Sequence, residues 1–185
     1  MRARSSQHTS ERGTGERGAA LIEFALLLPL LLMLLLGIVS VGIAYNHQIS
    51  LTHAARESAR FAATLPVTNF DAEPVPIEAW LDAVAMQAVE DATGSLDASV
   101  PGQRVCVAYV HPSAVAPGVE TRNRVEIGGT VTYANAPCFA DTRPATERRV
   151  QVQVERETDF NVVVFSRTLT LSSEAISRFE AALGA

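Results

Sequence analysis

An uncharged apolar run near the N-terminus constrains this chain more than any other feature. From Phe24 to Ala44 no residue is charged. At about 1.5 Å per residue, these 21 positions form a helix of roughly 32 Å. That length matches the hydrocarbon core of a bilayer, so the run is predicted to span a membrane. Glu23 stands at the start of the run, and a charge inside a membrane segment is costly. This carboxylate is therefore predicted either to reach the interface or to serve a partner.

The spacing between Gly18 and Glu23 is a second informative feature, because it resembles a known kind of cleavage site. Gly18 precedes Glu23 by five positions, and the residues between them, 19–22, are apolar. The spacing resembles the processing site of type IV prepilins, where a prepilin peptidase cuts after a glycine on the cytoplasmic side. The resemblance implies cleavage after Gly18, a new N-terminus at Ala19, and an apolar segment that stays attached to the product.

Two longer stretches of sequence point to a particular family of pilin-like proteins. Residues 17–29 read Arg-Gly-Ala-Ala-Leu-Ile-Glu-Phe-Ala-Leu-Leu-Leu-Pro, and residues 54–62 read Ala-Ala-Arg-Glu-Ser-Ala-Arg-Phe-Ala. Both stretches resemble the TadE-like pseudopilins of tight-adherence pili, over about residues 17–64 and more loosely in the last strand. Phe24 stands where the major tight-adherence pilins carry Tyr, which favours a minor, TadE-like component.

The resemblance implies a location, partners and a role for one carboxylate. The location is the bacterial inner membrane, with a single span. The partners are the membrane, a prepilin peptidase and other pilins or pseudopilins. Glu23 would pair with the freed amine of Ala19 on a neighbouring subunit. Together these implications describe a minor pseudopilin that acts in the assembly of a tight-adherence type IV pilus.

Two other interpretations of the apolar run remain open. An ordinary single-pass anchor could carry Gly18 and Glu23 by chance. A cleaved secretory signal is the other alternative, although its apolar region has 7–15 residues and this run is longer. Gly42 and Ala44 would supply the small residues of a signal-peptidase site. A lipoprotein anchor is excluded because no Cys lies near the run.

The charges that flank the run predict its orientation. Four Arg precede it, whereas Arg56 and Arg60 follow it closely. The positive-inside rule therefore places the N-terminus in the cytoplasm and the body outside. The net charge of the chain is −5, and the body carries no basic stripe. This balance argues against nucleic acid as a partner.

Two cysteines, Cys106 and Cys138, are expected to form a disulfide. A body outside the cytoplasm lies in an oxidising space, where disulfides persist. Because the cysteines are 32 positions apart, the bond would stabilise the fold by roughly 3–4 kcal/mol on the loop-entropy model. Two free, buried cysteines are the alternative.

The sequence is predicted to divide into four parts. The resemblance implies that residues 1–18 are a cytoplasmic leader, and the polar residues 1–16 are expected to be disordered. Residues 19–65 are expected to form one long helix that spans the membrane in its first half. Residues 66–76 are a proline-rich linker. The extracytoplasmic head comprises residues 77–185.

Helical periodicity continues beyond the apolar run. One face is polar and the opposite face is a stripe of small and apolar residues. The polar face comprises Asn46, Ser50, His53, Glu57, Arg60 and Thr64; the stripe comprises Leu51, Ala55, Ala59, Ala62 and Leu65. A second helix is predicted over residues 77–93, with Trp80 in the core and Gly94 as its stop. Glu78 and Asp82 are interpreted as solvated acids of this helix and its first turn.

From Gln103 onwards the periodicity changes to two, which predicts strands. The predicted strands are 104–110, 124–133, 150–155 and 167–179, with a short apolar segment at 160–165. The pair Gly128-Gly129 is either a hairpin turn or a bulge in one long strand. The alternation stays in phase across the pair, which favours the bulge. The predicted fold class is α+β: a long helix, a shorter helix, and an antiparallel sheet of four or five strands.

No pattern in the sequence indicates catalysis. The histidines, His8, His47, His53 and His111, lack metal-site spacing, and His47 and His53 are expected to be solvated. No phosphate-binding loop, nucleophile elbow or Cys-x-x-Cys motif occurs. We therefore expect a protein that is not an enzyme and needs no cofactor. The alternative function is an uncleaved, membrane-anchored binding or structural domain, and an anchored enzyme is the weakest interpretation.

Overall fold

A computed structural model describes residues 13–65, 76–111, 121–144, 146–162 and 165–180. Two helices pack on one face of a five-stranded antiparallel sheet with strand order β3-β2-β1-β4-β5. The helices are α1 (Gly13–Thr64) and α2 (Pro76–Asp91); the strands are β1 (Gln103–Val110), β2 (Arg122–Ile127), β3 (Thr130–Ala134), β4 (Arg149–Val162) and β5 (Phe165–Arg178). This architecture confirms the predicted α+β class.

Helix α1 is longer at its start than predicted. It begins at Gly13, so the expectation of disorder is wrong for residues 13–16; residues 1–12 lie outside the described part of the chain. Extending a helix that has already formed adds a hydrogen bond for each residue without a new nucleation step. The helix also continues through Pro29 and ends at Thr64, one residue before the predicted end.

The second half of α1 is the spine of the core. Four of the five residues of the predicted stripe are buried: Leu51, Ala55 and Ala62 have no exposed surface, and Ala59 is 2% exposed. Leu65 is half-buried. On the polar face, Ser50 is half-buried and the five other side chains are exposed, as the periodicity predicted. Because alanine side chains are small, α2 and the sheet can approach this helix closely.

Helix α2 closes the core over the sheet. Pro76 occupies its first position, where the missing N–H is no loss. Trp80 lies in the core as predicted, 5% exposed. It belongs to a buried apolar stripe with helical spacing, which comprises Ile77, Trp80, Leu81, Val84, Ala88 and Ala92. The indole Nε1 of Trp80 donates a hydrogen bond to the carbonyl of Leu65 at 3.2 Å, which joins α2 to the end of α1. Of the predicted linker 66–76, residues 66–75 lie outside the described residues, and Pro76 belongs to α2 instead.

Strand β1 is the centre of the sheet, between β2 and β4. Val105, Val107 and Tyr109 belong to the helix-covered core, whereas Cys106 and Ala108 alternate with them and point to the opposite face. Residues 105–109 have no exposed surface. The strand predicted at 104–110 is therefore present, and it is buried on both faces.

The prediction of a bulge at Gly128-Gly129 is wrong. The pair forms a two-residue hairpin turn between β2 and β3, with φ angles of +55° and +79°. Two successive positive φ angles define the turn type whose twist matches antiparallel strands. The turn pairs Ile127 with Thr130, so it places Val131 and Tyr133 on the face opposite to Val125. A bulge that kept the alternation in phase would have placed Val125, Val131 and Tyr133 on the same face.

Strands β4 and β5 extend beyond the rest of the sheet. The sequence suggested a strand at 150–155 and a separate apolar segment at 160–165, but β4 is one strand from Arg149 to Val162. Strand β1 pairs with β4 only as far as Arg156. Beyond that point β4 pairs with β5 alone. We call this two-stranded extension, Glu157–Val162 with Phe165–Thr170, the β arm.

Candidate membrane and assembly segment

The first half of α1 is not covered by the head. Every residue from 18 to 36 is exposed, including Leu26 at 74%. Within the described residues, α1 is the one helix long and apolar enough to cross a membrane, and its most apolar window contains no buried residue. The helix could therefore anchor the chain in a membrane.

The residues predicted for processing and assembly all lie on this uncovered helix. Gly18, Ala19, Glu23 and Phe24 are exposed. A side chain added at Gly18 would meet nothing within 4 Å. Ala19 and Glu23 are four residues apart, so they share a helix face and are separated by about 6 Å along the axis. In the described part of the chain, no side chain of the head reaches this face.

The helix enters the head through contacts at His47 and Gln48. The His47 Nδ1 lies 3.3 Å from the Ser95 hydroxyl, and Gln48 Nε2 donates to the Ser172 carbonyl at 2.9 Å. His47 is half-buried, so its predicted solvation is wrong, whereas His53 is exposed as expected. Burial, aided by the positive charge of Arg156, lowers the pKa of His47.

The face of the sheet away from the helices is covered by a loop that the two cysteines anchor. The Sγ atoms of Cys106 in β1 and Cys138 in the loop are 1.98 Å apart, at disulfide distance. Gln151 of β4 holds the same loop, because its side chain accepts from the Cys138 amide at 3.0 Å and donates to the Phe139 carbonyl at 3.0 Å. The loop therefore has one covalent and several polar attachments to the sheet.

An ion pair at Asp141 completes this attachment. The Asp141 side chain is 3% exposed and accepts from Arg149 at 2.7 Å and from Gln151 at 2.6 Å. Burial alone would raise the pKa of Asp141. The hydrogen bonds from Arg149, the Arg143 amide and Gln151 outweigh that effect, so the pKa lies below its ordinary value.

A second polar network joins α2 to the sheet, and the sequence did not predict it. Arg124 of β2, with a 9% exposed side chain, contacts Asp82 at 2.5 Å and Glu126 at 2.9 Å. The Tyr133 hydroxyl donates to Asp82 at 2.8 Å. Burial would lower the pKa of Arg124, but its bonds to the two carboxylates raise it overall.

Glu78 extends this network with a bond to Arg122 at 2.5 Å. The interpretation of Glu78 and Asp82 as solvated acids is therefore wrong, since both bind arginines of the sheet. The two acids are four residues apart on α2, and Arg122 and Arg124 are two apart on β2. Acids with helical spacing opposite bases with strand spacing are the signal that sequence reasoning missed.

Among the described residues, no group of three His, Cys, Asp or Glu side chains is arranged to hold a metal ion. Asp71 and Glu73, two acids that precede α2 in the sequence, lie outside the described residues. The polar networks at Asp141 and Arg124 are engaged in internal bonds. Their evident role is to hold the loop and α2 against the sheet.

The fold and its uncovered helix define an α+β protein built on one long helix that can anchor it in a membrane. The sequence model of the TadE-like protein family matches residues 18–60, the stretch that contains Gly18, Glu23 and most of α1. This match confirms the resemblance to TadE-like proteins over residues 18–60. The matched stretch ends within α1, so it does not include the sheet. No curated protein gave a match, and no solved structure did.

Proposed function

We propose that this protein is a TadE-like minor pseudopilin that acts in the assembly of a tight-adherence type IV pilus and is processed after Gly18. The observation that carries the proposal is the uncovered TadE-like half of α1, which presents Gly18 and Glu23 while the second half holds the head. A segment that the head does not use for its own stability is free to bind lipid or other subunits. The protein has no catalytic role in this proposal.

In the proposed mechanism, cleavage creates the group that Glu23 needs. A prepilin peptidase removes residues 1–18, and the nitrogen of Ala19 becomes a charged amine. A carboxylate and an amine that both leave water are stabilised when they pair, because each offsets the desolvation of the other. In one subunit Glu23 lies four residues after Ala19. Pairing between two parallel neighbours therefore requires an axial offset of about 6 Å.

The proposed location is a bacterial inner membrane, with the leader in the cytoplasm and the head outside. The four Arg before the span support this orientation through the positive-inside rule. The cysteine pair at disulfide distance supports an oxidising surrounding for the head. The proposed partners are the membrane, the peptidase, and other pilins or pseudopilins.

Intact-mass measurement on protein purified from membranes tests the processing step. The wild type co-expressed with a prepilin peptidase should begin at Ala19 and retain the apolar run. Gly18→Leu should remain full length because the bulky side chain blocks the cleavage position. Gly15→Leu, a matched change three residues earlier, should be processed normally.

Three results would each contradict the proposal. Retention of residues 1–18 in the wild type would favour the uncleaved anchored domain. Loss of the whole apolar run would identify a secretory signal. Normal processing of Gly18→Leu would show that the cleavage position lies elsewhere.

A further inference from the structure

The β arm runs beside α1 towards the membrane-spanning half of that helix. Two contacts align β5 with α1: Gln48 with the Ser172 carbonyl, and the Ala63 carbonyl with the Glu180 amide. Between them, α1 rises by about 22 Å and the β5 segment by about 26 Å. The two elements are therefore nearly parallel and run in the same direction.

The start of β5 can be placed along α1 from this alignment. Leu169 and Leu171 precede Ser172 and fall level with residues 42–46, where Ala44 is only 6% exposed although Val41, Ile43 and Tyr45 are exposed. Continuing at the same rise, the Asp159–Thr168 pair of the arm falls about 13 Å below Ser172, level with Val39. Arg167, opposite Phe160, falls level with Gly37.

These positions conflict with a hydrocarbon core that extends to Ala44. In that case Asp159 and Arg167 would lie about 8–10 Å inside the hydrocarbon. Both residues are exposed, and Asp159 accepts a hydrogen bond from Thr168 at 2.6 Å. Charged side chains at that depth are strongly disfavoured.

We propose that the β arm is a membrane-contact surface that sets the depth of α1. Its Asp159–Thr168 level lies in the outer phospholipid headgroups, and its Val162–Phe165 end, about 10 Å nearer the span at the same rise, enters the outer leaflet. Asp159 and Arg167 stay in the headgroup layer, and the hydrocarbon ends at about Val39 rather than at Ala44. A core of about 30 Å then begins near Ala20. Gly18 lies at the cytoplasmic interface, and Glu23 lies about one turn inside the lipid.

This inference rests on the membrane anchoring in the proposed function, and it explains why Glu23 would need a partner. A carboxylate at the interface is hydrated, whereas one that the arm holds inside the hydrocarbon is not. By fixing the depth of α1, the extracytoplasmic head thus sets the free-energy cost of burying the Glu23 carboxylate near the cytoplasmic interface.

Cysteine labelling of the full chain in spheroplasts tests the depth. Leu35, Val41, Ile43 and Tyr45 are all exposed in the structure and are replaced by Cys one at a time. The native pair at disulfide distance does not react with maleimide. We expect a membrane-impermeant maleimide to label positions 41, 43 and 45 rapidly, and to label Leu35→Cys only after detergent is added.

Protection of Val41→Cys and Ile43→Cys to the level of Leu35→Cys would overturn the proposed depth and leave the anchoring intact. Labelling of Leu35→Cys in intact spheroplasts would instead contradict the anchoring itself.

A second variant tests the arm directly. Combining Asp159→Val with Arg167→Val should slow labelling of Val41→Cys at least tenfold while Tyr45→Cys still reacts. An unchanged rate at Val41→Cys would show that the arm does not set the depth. Glu57→Val, on the exposed face of α1, is the matched control and should change nothing.

Discussion

Removing the Cys106–Cys138 link should destabilise the head by an amount that can be worked out from the chain. The two residues are 32 positions apart, and the sulfurs join β1 to the loop on the far face of the sheet. Closing a loop of this length in the unfolded chain contributes about 3–4 kcal/mol at 25 °C on the loop-entropy model. For a domain of this size that loss corresponds to a fall in the unfolding midpoint of roughly 10 °C.

The assay is thermal unfolding of the full chain in detergent, followed by the circular dichroism of the sheet. The double variant Cys106→Ala, Cys138→Ala should melt about 10 °C below the wild type. Wild-type protein treated with reductant is the matched control and should melt with the variant. If the oxidised wild type, the reduced wild type and the variant shared one midpoint, the reasoning would be refuted, because the link would then not constrain the unfolded chain.

Two further predictions concern carboxylates in opposite environments. Glu23→Val should leave the protein in the membrane and still cleaved but unable to support piliation, and Glu23→Asp should be intermediate. Membrane fractionation and a piliation count on the same strains check this, with Glu57→Val as the control. Normal piliation with Glu23→Val would contradict the pairing mechanism. Asp141→Asn should lower the stability at pH 7 by about 1–3 kcal/mol, because Arg149 loses a charged partner. The folded pKa of Asp141 is depressed, so its contribution is fully present above its ordinary pKa near 4 and is lost as the pH falls through the folded pKa. Melting curves of both proteins from pH 7 down to pH 2 should therefore converge, and a constant gap would show that the carboxylate charge is not involved.

Local periodicity was sufficient to predict the helices and their buried faces. The stripe on α1 and the stripe around Trp80 on α2 are determined by the 3.6-residue repeat, and both are buried in the structure. The membrane run could likewise be read from residues 24–44 alone. These features need no knowledge of which segments meet in space.

Features that depend on strand pairing were not predictable in the same way. The two glycines at 128 and 129 fit a bulge or a turn, and only the register between β2 and β3 decides between them. The network of Arg124 depends on which helix lies over β2. The β arm was divided into fragments because its paired residues lack the alternation of a strand with one buried face. In each case the deciding contact joins residues that are distant in the chain.

The division of α1 into an uncovered half and a packed half has a thermodynamic consequence. The core uses the helix from Leu51 to Ala62, and the exposed leucines before Gly37 contribute nothing to it. Contributions from distant sites without shared partners add independently. The packing of the head's core should therefore depend little on whether the first half of α1 lies in lipid or against other subunits, even though the folded β arm sets the depth of that half. The head can stay folded while the surroundings of the anchor change.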